Sequence, residues 1–172
     1  SYFTPCALSL AFSSAGFHVC ESTEEFGGQY LSIYAIPADH NVPNRDGKQQ
    51  HETEQIAHDI AVFEDSYEDK VSSCGRKLEH MKKRGTRAVV WGAGSKGVMF
   101  LNVLKDTSIE YVVDVNPYKQ GMFVPGTGQQ IVPPEFLTDY MPSVIIVMNH
   151  IYLHEIQELV RKLGLAPDFV LA

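Results

Sequence analysis

The stretch VVWGAGSKG, Val89 to Gly97, holds three glycines, Gly92, Gly94 and Gly97, in a G-x-G-x-x-G pattern. The first glycine permits a tight turn, the second lets backbone approach a phosphate closely, and the third lets a helix pack tightly on a sheet. If a helix opens at Ser95, the amides of Ser95, Lys96 and Gly97 point at an anion, and the Lys96 ammonium adds charge that a diphosphate favours. The pattern alone is weak. Here an apolar run precedes it, a helical pattern follows, and Asp114 ends the next apolar run twenty residues past Gly94. In nicotinamide dinucleotide sites an acid at that place takes the ribose hydroxyls. The chemistry available is therefore binding of a nucleotide or nucleotide-sugar diphosphate. A glycine turn kept for packing alone is the competing reading.

Two further segments lead away from strand ends on the same side. DVNPYKQG supplies Asn116 and Lys119, within reach of a ribose or phosphate, although Asn and Pro also serve as plain turn formers. MNHIYLHE supplies Asn149 and Tyr152, which are expected to line the same crevice. His150 and His154 have the i,i+4 spacing of metal ligands, but no third ligand accompanies them, so a capping or solvated role is expected and no metal. No Ser-His-Asp or Cys-His set stands in a supporting context, and no catalytic residue is assigned.

The elements that position these residues occupy 86–172. RAVVW, EYVVDV, PSVIIVM and DFVLA read as strands, with KGVMFLNVLKD and LHEIQELVRKLG as helices between them. Strands that are nearly unbroken apolar runs, alternating with helices, imply a parallel sheet covered on both faces. The fold class expected is α/β, a small Rossmann-like sheet of four or five strands. Upstream, TPCALSLAFSSAGF reads as a short helix ending at Gly16. FHVCES and QYLSIYAIP read as strands, the second with Tyr30, Ser32 and Tyr34 on one face.

Residues 38–50 are polar and read as a linker. From Glu52 to Arg84 apolar residues recur every three or four positions (Ile56, Ile60, Phe63, Tyr67, Val71, Cys74, Leu78, Met81), giving one long amphipathic helix. Its termini suit the helix dipole, with Glu52 and Glu54 near the start and Lys82 to Arg84 near the end, and Gly85 stops it. The division expected is 1–37, 38–85 and 86–172.

Composition sets the bounds. A net charge of −7 with no offsetting basic run opposes nucleic acid and anionic lipid; KLEHMKKRG, the densest basic stretch, reads as a helix end. Cys6, Cys20 and Cys74 are scattered and odd in number, which fits buried thiols in a reducing compartment. With no apolar run of membrane-spanning length, a soluble cytoplasmic protein is expected.

With SYFT, AGF, GGQYLSIYA, VVWGAGSKG, VDVNPYKQGMFVPGT, PPEFL and VIIVMNHIY in this order, the sequence resembles the C-terminal portion of SAM-dependent sugar C-methyltransferases. The resemblance covers 1–37 and 86–172. It implies that 1–37 closes an upstream SAM-binding domain of the same protein and that 86–172 is a C-terminal Rossmann-like domain helping to hold a nucleoside-diphosphate keto-sugar. The cofactor implied for the intact enzyme is SAM, at a site outside this sequence. The family's cysteine-rich zinc motif, SAM-binding glycine loop and Tyr-x-Glu-His motif do not occur here, so this chain alone is expected to bind no SAM and to transfer no methyl group. Phe3, Leu8, Phe12, Phe17, Tyr30 and Ile33 are too many apolar side chains for so few N-terminal elements to bury, which favours a homodimer. Two other readings are an NAD(P)-binding domain of an oxidoreductase or sensor, and a non-catalytic interaction module docking through the long helix.

Overall fold

The computed structural model describes residues 3–38, 49–105 and 108–172, with side chains from 56 onward in the long helix. Most of the expected linker, 39–48, and the side chains of Glu52 and Glu54 lie outside the described residues. The chain divides into two compact units, Ser1–Glu64 and Asp65–Ala172, with the division falling inside the long helix.

The first unit opens with helix α1, Pro5–Ser14, whose N-cap Thr4 accepts the Ala7 amide at 3.1 Å, with Pro5 in the first turn. Both are start signals that leave no needed donor unpaired. Strands β1, Phe17–Glu25, and β2, Tyr30–Pro37, then form an antiparallel hairpin with an irregularity between Val19 and Glu21. Along β2 the exposed residues Tyr30, Ser32 and Tyr34 alternate with half-buried Leu31, Ile33 and Ala35, as the period of two requires. No residue from Phe3 to Ala38 is fully buried, and Phe17, Phe26, Tyr30, Tyr34 and Ile36 are exposed.

Helix α2, Gln49–Lys83, is 35 residues long. Its end is closed by Gly85 at φ 64°, with the amides of Gly85 and Thr86 donating to Lys82 and Met81 carbonyls. The apolar stripe is continuous in sequence but divided in burial. Ile60, Phe63 and Tyr67 are exposed, whereas Leu78 is buried in the core of the second unit and Met81 packs beside it.

In the second unit five strands make one parallel sheet: β3, Ala88–Trp91; β4, Tyr111–Val113; β5, Gln130–Val132; β6, Val144–Val147; and β7, Asp168–Leu171. Their order is β5-β4-β3-β6-β7. The chain builds outward from β3 in one direction, then returns to its other side, so the order reverses between β3 and β6. Val90, Val112, Ile131 and Ile146 face a core with Leu78 and with Leu101 of helix α3, Ser95–Leu104. Val89, Val113, Val132 and Ile145 face the other core, with Leu137 of α4, Leu137–Tyr140, and with Ile156 and Val160 of α5, Leu153–Lys162. Alternate residues of each strand thus serve opposite faces, which is why the strands read as unbroken apolar runs. The architecture is the expected Rossmann-like α/β sheet. Strand β5 was not among the four strands read from the sequence, because three residues between Gly128 and Pro133 carry too short a pattern to register. Among the described residues no helix is long and apolar enough to cross a membrane.

Candidate functional site

Strand order reverses between β3 and β6, and the carboxyl edge at such a reversal is where sheets of this kind take their ligands. On one side of this edge is the loop from Trp91 to Ser95. Gly92 has φ 114°, a conformation open in practice only to glycine, and its amide donates to the Val113 carbonyl at 2.8 Å. That bond ties the turn to β4. Gly97 is buried, and a Cβ there would run into the carbonyl oxygen of Gly92. The third glycine is therefore needed to let α3 lie against the turn. Gly94 differs from both. A Cβ on it would meet nothing within 4 Å, and as N-cap of α3 it offers no side-chain acceptor to the helix. The start of α3, with exposed Ser95 and Lys96, is left facing open space with the positive end of its dipole.

Asp114 lies at the end of β4, 8% exposed, beneath the loop. Its Oδ2 accepts the Ala93 amide at 2.8 Å and its Oδ1 accepts the Asn116 amide at 2.9 Å. Lys119 Nζ pairs with Oδ2 at 3.2 Å and donates to the Ala93 carbonyl at 3.1 Å, while Gln120 Nε2 donates to the Asp114 carbonyl at 3.0 Å. A buried carboxylate is tolerated because charge-assisted bonds surround it. Asp114 and Lys119 thus fasten the loop from behind. Three of the four lone-pair directions of Asp114 are committed to the protein, which leaves one for a ligand hydroxyl. Lys119 keeps a third of its side-chain surface open, 36%.

Asn116 Oδ1 accepts the Tyr118 amide at 3.0 Å, which makes the turn that brings Lys119 back to the loop. After β6, at the same edge, Asn149 Oδ1 accepts the Ile151 amide at 3.3 Å and caps the short turn His150–Tyr152, in which Tyr152 is 54% exposed. The structure therefore brings the ten residues read from the sequence to one edge, but in two roles. Gly94, Ser95, Lys96 and Tyr152 face open space. Gly92, Gly97, Asp114, Asn116 and Asn149 shape the backbone, and Lys119 does both. His150 and His154 are exposed, and among the described residues no group of three potential ligands gathers around them.

Three participants escaped the sequence reading. The Ala93 backbone and Gln120 serve the Asp114 network, and Met148 would touch a Cβ on Gly92 at 3.6 Å. An Ala or a Met in such positions carries no chemical signal of its own. Tyr118, 85% exposed in the turn after β4, adds an aromatic face at this edge.

A comparison with curated proteins gave no match. A family model described as C-methyltransferase C-terminal domain matches residues 27–165, which include the glycine loop, the Asp114 network and the turn after β6. On that match over most of its length, the chain belongs to the C-methyltransferase C-terminal domain family.

Proposed function

We propose that this chain is the part of a SAM-dependent C-methyltransferase that helps to bind a keto-sugar carried on a nucleoside diphosphate, the diphosphate resting on Gly92–Gly97. The observation that carries the reading is the start of α3, uncapped by any side chain and facing open space through Gly94, at the point where strand order reverses. Backbone amides and Lys96 supply the donors, and Lys119 offers its remaining hydrogen. Asp114 already holds the loop, which favours a diphosphate on the amides over a dinucleotide clamped by its ribose. C-methyltransferases take their methyl group from SAM. In this reading the present residues bind and orient the sugar nucleotide, and the base that removes a proton beside the ketone belongs to another part of the enzyme. The exposed apolar residues Phe17, Phe26, Tyr30, Tyr34 and Ile36 support packing of the hairpin on further protein, the upstream SAM-binding domain or a second copy.

Calorimetry on the chain with thymidine diphosphate, NAD and SAM tests the reading. Saturable binding of the diphosphate alone is expected, with Lys96→Glu weakening it at least tenfold while circular dichroism stays unchanged. Tighter binding of NAD, or equal affinity in the variant, would remove the loop from the proposed site.

A further inference from the structure

Positive charge is unevenly placed in this acidic chain. Residues 70–87 hold seven of its fourteen Lys and Arg and, in Glu79, one of its twenty-one acids. Glu79 is itself paired with Lys83 at 2.8 Å. On α2 and the residue after it, positions 76, 77, 80 and 84 recur at helical spacing and share a face. That face lines a cleft of about 640 Å³ at the amino ends of β6 and β7, bringing Arg76, Lys77, His80 and Arg84 together with the hydroxyls of Thr86 and Ser143. All four basic residues are exposed. Among the described residues the ion pairs are Lys83–Glu79, Lys119–Asp114 and Arg161–Glu158, so Arg76, Lys77 and Arg84 face the cleft with no carboxylate in ion-pair contact.

The ordinary end-of-helix explanation covers only part of this. The helix dipole favours cations in the last turn, here His80, Lys82 and Lys83. Its field falls off within that turn and does not account for Arg76 and Lys77, which lie further back. Arg76, Lys77 and Arg84, gathered on one face, also repel one another. An anion between them relieves that repulsion.

We propose that this cleft is a binding site for a phosphorylated small molecule, distinct from the glycine loop and independent of the reading given for it. The volume lies in the range of small-ligand sites. Met81 and Val144 add apolar lining, and the Asp168 carboxylate, also in the lining, offers an acceptor for a ligand hydroxyl. The chain's net charge of −7 disfavours a long polyanion such as nucleic acid, whose binding depends on many phosphate contacts. The cleft is at the amino edge of the sheet and the glycine loop at the carboxyl edge, separated by strands of four residues, about 13 Å.

Nuclear magnetic resonance with inorganic pyrophosphate as probe, on the whole chain at low salt, tests the proposal. Saturable shifts of the Thr86, Ser143 and Val144 amides are expected. Their affinity should fall at least tenfold in Arg76→Gln/Arg84→Gln and persist in Lys96→Glu. Shifts confined to Gly94–Gly97, or none at the cleft, would overturn the proposal without touching the glycine-loop reading. Unchanged affinity in the double variant would do the same. An acidic peptide or single-stranded DNA displacing pyrophosphate at lower concentration would also overturn the small-molecule assignment. The amide shifts of the unaltered chain decide the question even if the double variant fails to fold.

Discussion

Replacement of Asp114 by alanine should destabilise the sheet unit by about 3 kcal/mol, because the buried amide of Ala93 loses its acceptor and the loop its fastening. The estimate combines three contacts. An unsatisfied buried N–H costs roughly 1–3 kcal/mol, and Ala93 is 7% exposed. The Asn116 amide belongs to an exposed residue and turns to water, losing about 1 kcal/mol of charge-assisted bonding. Lys119, with 36% of its side chain exposed, rehydrates and adds at most about 1 kcal/mol. For a domain of about 100 residues each kcal/mol moves Tm by roughly 4–8 °C, so a fall of about 12–24 °C is expected. Trp91, the only tryptophan, sits in β3 directly before the loop and is 7% exposed, so its fluorescence reports unfolding of this unit. Hydrogen exchange at the Ala93 amide gives the local reading and should accelerate relative to the unaltered protein. Asp114→Asn keeps one oxygen for Ala93 and Lys119 but turns an NH2 toward the Asn116 amide and removes the charge, so about half the loss is expected. A Tm within about 3 °C of the unaltered protein, together with a still-protected Ala93 amide, would refute the fastening role.

Two glycine substitutions should part company. Gly97→Ala forces a Cβ onto the Gly92 carbonyl and is expected to cost about 1–3 kcal/mol in denaturant melts. Gly94→Ala, where a Cβ meets only open space, should cost under about 1 kcal/mol yet block diphosphate binding in calorimetry. Burial, then the charge of Glu110 and then Tyr111, raises the Tyr140 hydroxyl above its ordinary 10.0. A group whose pKa is raised by folding contributes stability that is intact below the unfolded value and is lost as pH climbs through the folded one. Melts of the unaltered protein should therefore decline above about pH 10, and Tyr140→Phe should soften that decline; identical alkaline profiles would show that this hydroxyl is not the cause.

The glycine turn, its strand and its helix were legible in the sequence because everything they need is local. Gly92 must adopt φ 114°, Gly97 must clear the Gly92 carbonyl, and both requirements are met within a single turn of chain. The buried strands were equally plain, since covering both faces of a sheet leaves an apolar run with no polar interruption. Strand β5 was not legible, because three residues set no period and only pairing with β4 makes them a strand.

What only the tertiary structure decided concerns where polar groups point and what they meet. From the sequence Asp114 reads as a ribose acceptor, at the right distance past the glycines. Folding places it under the loop, where Ala93, Asn116 and Lys119 take up its oxygens, because a carboxylate 8% exposed must find donors from whatever backbone is nearest. The long helix gives a second case. Its apolar period is uniform from Ile56 to Met81, yet burial selects the end around Leu78, since packing depends on the surface presented by the sheet and not on the helix's own pattern. The cleft beside that end is the third. Arg76, Lys77, His80 and Arg84 read along the chain as a helix terminus, and it takes the pairing of β6 with β3 and β7 to bring Ser143 and Asp168 opposite them. Periodicity records which residues are apolar, while the partners of a buried or clustered charge are set by contacts between segments far apart in sequence.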